Sequence, residues 1–97
     1  MSDEIRHKDR ILTIIAMFCP SSKVYLFGSY ARGDFSHSSD IDIAIDNGQK
    51  IPLVERAQIS HMVDVLNLRQ RVDIVDFQSV PLALQQKILK EGILWKD

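Results

Sequence analysis

Residues 24–46 read VYLFGSYARGDFSHSSDIDIAID, and the fold turns on this stretch. Val24-Tyr25-Leu26-Phe27 is short, β-branched and aromatic, the composition of a strand. Gly28-Ser29 ends it. Residues 30–38 are polar and turn-rich, with space for one short helix beginning near Tyr30. Residues 40–46 then alternate strictly. Ile41, Ile43 and Ile45 take one face, and Asp40, Asp42 and Asp46 take the other with Ala44 between them. Two strands thus flank a glycine–serine turn, and the second carries aspartates at i and i+2.

On the N-terminal side, Ile11, Ile14, Ile15 and Phe18 fall at i, i+3, i+4 and i+7, one face of a helix. Asp3 and Glu4 suit the helix N-terminus and Pro20 stops it, so the helix is expected over about 3–18. On the C-terminal side, Asn47-Gly48 is a turn signal and Pro52 opens a helix striped by Ile59, Met62, Val63 and Leu66. Residues 71–77 (RVDIVDF) alternate as a third strand. Ser79 and Pro81 start a last helix, Gly92 is placed to be its C′ stop, and Ile93-Leu94-Trp95 suits a short edge strand. The order α, β, short turn or helix, β, α, β, α, β predicts one α/β (α+β) domain over 1–97. Its expected architecture is a small mixed sheet flanked by helices.

Composition bounds the function. The chain has 97 residues, 45% apolar and 26% charged, which is globular rather than disordered. A chain this short buries roughly two-thirds of its unfolded surface, enough for a core and one site. Its longest apolar run, residues 11–19, is far short of the ~18 residues of a membrane span. The acidic start argues against a secretory signal. One cysteine, Cys19, excludes an internal disulfide framework and a multi-cysteine zinc site, and makes a reducing cytoplasm the expected compartment. A net charge of −1 gives no broad footprint for nucleic acid, which is not expected as a partner.

The spacing that carries chemistry is Gly28-Ser29, ten residues, then Asp40-Ile41-Asp42, with the acidic strand Val72-Asp73-Ile74-Val75-Asp76 downstream. Side chains at i and i+2 of a strand point the same way, about 7 Å apart. Two carboxylates so placed can converge on hard cations, and a third from a neighbouring strand can bridge the pair. Two divalent ions held this way clamp the attacking and leaving oxygens of an in-line displacement at phosphorus. Gly28 lets backbone approach a phosphate, and the Ser29 hydroxyl offers a donor. Two aspartates on the wet face of an edge strand are usually solvated charge. Four fixed positions, however, match by chance on the order of once per thousand chains of this length. Alternation puts Asp73 with Val75 and Phe77, and Asp76 with Val72 and Ile74, and does not choose between them.

With its later acidic strand, this G-S-x10-D-x-D pattern resembles the signature of the polymerase-beta-like nucleotidyltransferase superfamily. The string Phe27-Gly28-Ser29-Tyr30-Ala31-Arg32-Gly33-Asp34 looks like its minimal nucleotidyltransferase branch. The resemblance covers nearly the whole chain. It implies that Gly28 and Ser29 hold nucleotide phosphates, that Asp40 and Asp42 bind two Mg²⁺, and that Asp73 completes the metal site and helps deprotonate an acceptor hydroxyl. It also implies transfer of AMP from ATP, commonly to a tyrosine of an all-helical HEPN toxin, with the transferase as antitoxin. Larger members add a substrate domain; this chain ends at Asp97, and a partner protein would then supply the acceptor.

Other residues carry weaker signals. Arg32, one turn past the glycine–serine pair, can reach a phosphate or stay solvated. Asp34 is expected to cap a turn, and Ser36, Ser38 and Ser39 to be loop polarity. His7, His37 and His61 share no ligand spacing; His61 flanks an apolar stripe and is expected to be structural. Cys19 is expected to be a buried, inert thiol, and Arg56, Arg69 and Arg71 solvated charge. Gly28-x4-Gly33 opens like a phosphate-binding P-loop but continues Asp34-Phe35. Two alternatives stand beside the transferase. One is a module that neutralises a helical partner by occupancy. The other is transfer to a small-molecule hydroxyl, for which no acceptor pocket of ~300 Å³ is evident. Oligomeric state is open, although an exposed final strand could pair with another subunit.

Overall fold

The computed structural model describes residues 7–34 and 39–97. Helix α1 (Lys8–Phe18) leads into β1 (Lys23–Phe27) and the four-residue helix α2 (Ser29–Arg32). Then come β2 (Ile41–Asp46), α3 (Leu53–Val65), β3 (Val72–Asp76), a 3₁₀ turn (Phe77–Ser79), α4 (Leu82–Glu91) and β4 (Ile93–Lys96). Every expected element is present. The first helix is described from Lys8, and its expected start near residue 3 lies outside the described residues, as do Ser36, His37 and Ser38.

The sheet has four strands in the order β3-β2-β1-β4. β1 pairs antiparallel with β2 and β4, and β2 pairs parallel with β3. Parallel neighbours need a crossover, and α3 supplies it. β2 is therefore an inner strand, covered on both sides, so the wet-edge account of its aspartates does not apply to it.

The alternation of β2 decides how the layers form. Ile41, Ile43 and Ile45 are fully buried against Ile11 and Ile15 of α1 and Ile59 and Val63 of α3. Each such side chain contributes about 1.5–3 kcal/mol of burial, so this face holds the main core. On the opposite face Ala44 is buried beneath Phe77 and Ile88, with Tyr25, Phe27, Val75 and Leu84 around them. Tyr25 and Phe77 stack at 6.0 Å. The helix α4 covers this second face, but Asp40 and Asp73 stay exposed. Among the described residues no helix is long and apolar enough to cross a membrane.

Several local expectations change. Gly92 ends α4, but not as a left-handed cap: its backbone is extended (φ −73°, ψ 160°). The glycine is needed for space, because a Cβ there would overlap the Ile88 carbonyl oxygen and lie 3.2 Å from that of Leu26. Pro52 and Pro81 sit just before their helices in extended conformation, at the cap and not inside the first turn. His61 is exposed, not structural, and lines an open apolar groove of about 530 Å³ with Phe18, Val54 and Met62. The turn that Asp34 was expected to cap lies outside the described residues. Gly33, in the left-handed conformation, closes α2, and the Asp34 carboxylate pairs with Arg32 Nε at 3.4 Å. Cys19 is buried as expected, and burial pushes its thiol pKa up, with Glu55 and Asp76 adding to the effect.

Candidate active site

Backbone pairing assembles the site. The antiparallel register sets Phe27 opposite Asp42, so the Gly28-Ser29 turn leaves β1 beside that aspartate. The parallel register sets Asp73 opposite Asp42. Aligned residues on neighbouring strands share a face, so Asp42 and Asp73 project together, on the side of Ala44 and Val75. Asp76 falls opposite Ile45 and points into the other layer, 1% exposed. There it accepts hydrogen bonds from Ile51 N–H (2.8 Å), Gln78 N–H (3.1 Å) and Ser79 Oγ–H (2.9 Å). Of the two aspartates that alternation left open, Asp73 is the one beside Asp42.

Gly28 has φ 74° and ψ −154°, a region essentially closed to other residues. A Cβ on Gly28 would overlap Asp42 Oδ2 and lie 3.1 Å from Asp42 Cγ. The missing side chain is the space in which the Asp42 carboxylate rests. Directly after it, Ser29 begins α2, whose Arg32 N–H bonds back to Gly28 O at 3.1 Å.

Electrostatics marks Asp42 as the centre of the group. Burial raises its pKa most, Asp73 and then Asp40 raise it further, and Arg32 lowers it. Asp42 therefore feels both of the other carboxylates, and Arg32 lies within range of it. None of the three accepts a hydrogen bond from a described residue. Among the described residues no group of three His, Cys, Asp or Glu stands close enough to hold a metal ion. Asp40 and Asp73 are both exposed. The donor set is all carboxylate oxygen, the chemistry of a hard divalent cation and not of zinc or copper. The cradle at Gly28 leaves the central carboxylate room, so the residues fit Mg²⁺.

Gly28 also borders a cleft of about 110 Å³, lined with it by Phe27, Arg32, Leu84, Lys87, Ile88 and Glu91. The sequence reading found Arg32 and missed the α4 side. Leu84, Lys87, Ile88 and Glu91 follow the i, i+3, i+4, i+7 spacing of one helical face. The signal was two charges on a face otherwise reading as core.

Residues 10–96 match the family model described as polymerase beta, nucleotidyltransferase. A protein adenylyltransferase, MntA, of Shewanella oneidensis is 33% identical over 69 residues, which is 71% of this chain and 49% of that protein. MntA of Thermococcus cleftensis, also a protein adenylyltransferase, is 30% identical over 71 residues, 73% of this chain and 71% of that one. A crystal structure of a toxin–antitoxin with AMP-PNP superposes with a TM-score of 0.76 at 28% identity, covering 91% of this chain and 71% of that chain. The match thus spans about half of the Shewanella relative and seven-tenths of the others.

Proposed function

The chain belongs to the polymerase-beta nucleotidyltransferase family, and we propose that it transfers AMP from ATP to a tyrosine hydroxyl of an all-helical HEPN-type toxin, as the antitoxin of that pair. The observation that carries this reading is the pairing of Asp42 with Asp73 beside the glycine that cradles Asp42. Two protein adenylyltransferases among its relatives, and a toxin–antitoxin neighbour with AMP-PNP, support the choice of nucleotide and acceptor.

In this mechanism Asp40, Asp42 and Asp73 hold Mg²⁺, which when bound neutralises phosphoryl charge and aligns the reacting oxygens. Gly28 lets the triphosphate lie against backbone. The Ser29 hydroxyl donates to a phosphate oxygen, and Arg32 adds positive charge there. Asp73, exposed and opposite Asp42, accepts the proton of the attacking hydroxyl. The acceptor oxygen bonds to the α-phosphorus, the bond from that phosphorus to the bridging oxygen breaks, and pyrophosphate leaves. Positioning and charge neutralisation supply most of the acceleration.

Among the described residues the cleft beside Gly28 holds about 110 Å³, against the ~300 Å³ or more of an ordinary small-molecule pocket, which favours a macromolecular acceptor over a small one. The larger groove lies on the α1 and α3 layer, across the sheet from the carboxylates.

The test is label transfer. Purified protein, Mg²⁺ and α-labelled ATP are mixed with a lysate of the native host, beside an Asp40→Ala control. Label is expected on one small protein, and only with all three carboxylates intact. Label on RNA or small molecules would keep the transferase and remove the antitoxin. A helical partner that co-purifies and takes no label would assign neutralisation by occupancy instead.

A further inference from the structure

We propose that Lys87 of α4 acts with Arg32 across the cleft beside Gly28, holding the distal phosphates of the nucleotide and then the departing pyrophosphate. The inference rests on the nucleotidyl-transfer reading above and adds a residue to it.

Position is the first argument. Gly28 adjoins two chemically opposite places. The Asp42 carboxylate packs against it, with Asp73 opposite Asp42 on the next strand. Gly28 also lines the cleft, with Arg32 from the turn and Lys87 from α4 on its walls. A nucleotide whose α-phosphate sits at the carboxylates and whose chain crosses the glycine extends its β- and γ-phosphates toward those two cations. The cleft volume of about 110 Å³ suits a small charged group.

Charge is the second. The cleft is lined by two cations and one anion, Glu91, for a net charge of +1. Arg32 is partly engaged, its Nε 3.4 Å from Asp34. Lys87 makes no hydrogen bond or ion pair with any described residue, although Glu91 is one turn along the same helix, the usual distance for such a pair. Lys87 is exposed and lines the cleft beside the apolar Leu84 and Ile88. A flexible point charge with three donors suits phosphate oxygens. Pyrophosphate gathers negative charge as its bond to the α-phosphorus breaks, so a cation at that end stabilises the transition state more than the bound substrate.

The experiment is calorimetric titration of the full chain with three Mg²⁺-loaded probes: an α,β-nonhydrolysable ATP analogue, pyrophosphate and AMP. Lys87→Met is expected to weaken the ATP analogue and pyrophosphate by about tenfold, the size of one charge-assisted hydrogen bond. AMP affinity should move less than twofold, and Lys87→Arg should recover most of the loss. Equal loss for all three probes would overturn the assignment in favour of a nucleoside or packing role. Unchanged affinity for all three would remove Lys87 from the site while leaving the transferase intact. A wild-type chain that binds none of them would sink the transferase reading, and this one with it.

Discussion

Asp73 and Asp76 sit three residues apart on β3, and the fold treats them oppositely. Asp76 is 1% exposed and accepts three hydrogen bonds, which fasten the loop at Ile51 and the 3₁₀ turn to the end of the strand. Its neighbour Asp46 is partnered as well, by Gln78 Nε2 at 2.9 Å and Gly48 N–H at 3.0 Å. At the other end of the same parallel pair, Asp73 and Asp42 face each other with Asp40 nearby, and no described donor reaches any of them. A buried charge must be partnered to be tolerated. Donors surround the carboxylates that organise the chain, whereas beside Gly28 Asp42 is opposed by Asp73 and Asp40 and is offset only in part by Arg32.

The widest separation between the two ends should be in catalysis. Asp42→Asn and Asp73→Asn are each expected to lower AMP transfer by about a thousandfold or more, the scale lost when a main source of transition-state charge stabilisation is removed. Asp76→Asn should retain near-normal transfer per folded molecule. Single-turnover rates with labelled ATP, normalised to the folded fraction by circular dichroism, measure both. An active Asp73→Asn beside an inactive, fully folded Asp76→Asn would reverse the assignment.

Stability should order the variants the other way. Asp76→Asn leaves donors facing an amide that satisfies fewer of them, at a cost of about 3 kcal/mol. That is a large share of the roughly 5–15 kcal/mol available to a small domain, and urea unfolding would resolve it. Asp73→Asn should fall within about 0.5 kcal/mol of wild type, since its side chain is exposed and accepts no hydrogen bond from a described residue.

Gly28→Ala joins the two effects. Backbone strain of about 1–3 kcal/mol adds to overlap with Asp42 Oδ2. The displaced carboxylate should lower transfer by about a hundredfold, as expected for a misplacement of about 1 Å. A Gly28→Ala protein with normal activity would show that Asp42 does not need the space.

Much of this was legible in the sequence because the strands alternate so cleanly. Ile41, Ile43 and Ile45 announce the core face, and therefore which way Asp42 points. Register was less accessible. Whether β3 runs parallel to β2, and with which residue opposite Asp42, depends on how α3 crosses the sheet, so alternation alone left Asp73 and Asp76 unresolved. Long-range packing was invisible. Gly92 reads as a helix stop, but its reason is the approach of the Leu26 and Ile88 carbonyl oxygens. Lys87 and Glu91 read as ordinary helix charges until α4 is laid beside Gly28. His61 misled because neighbouring an apolar stripe in sequence is not the same as pointing with it.

The smallest expected effect tests the comparison most directly, because it concerns the fold's own response to the two kinds of carboxylate. Burial, Asp73 and Asp40 raise the Asp42 pKa. A carboxyl that holds its proton more tightly folded than unfolded weakens the folded state as pH climbs past the unfolded value of about 4, and the deficit is complete above the folded pKa. Asp42→Asn should therefore melt above wild type at pH 7 without divalent cations, and the gap should close as the pH falls below about 4. Salt should narrow the gap only in part, since it screens Asp40 and Asp73 but does not remove the burial contribution. Millimolar Mg²⁺ should raise the wild-type melt and leave Asp42→Asn nearly unmoved, because only the carboxylate gains a partner. A wild-type chain that already melts above Asp42→Asn at pH 7 without cations would mean that donors support Asp42 as they support Asp76, and the contrast between the two ends of the strand pair would fail.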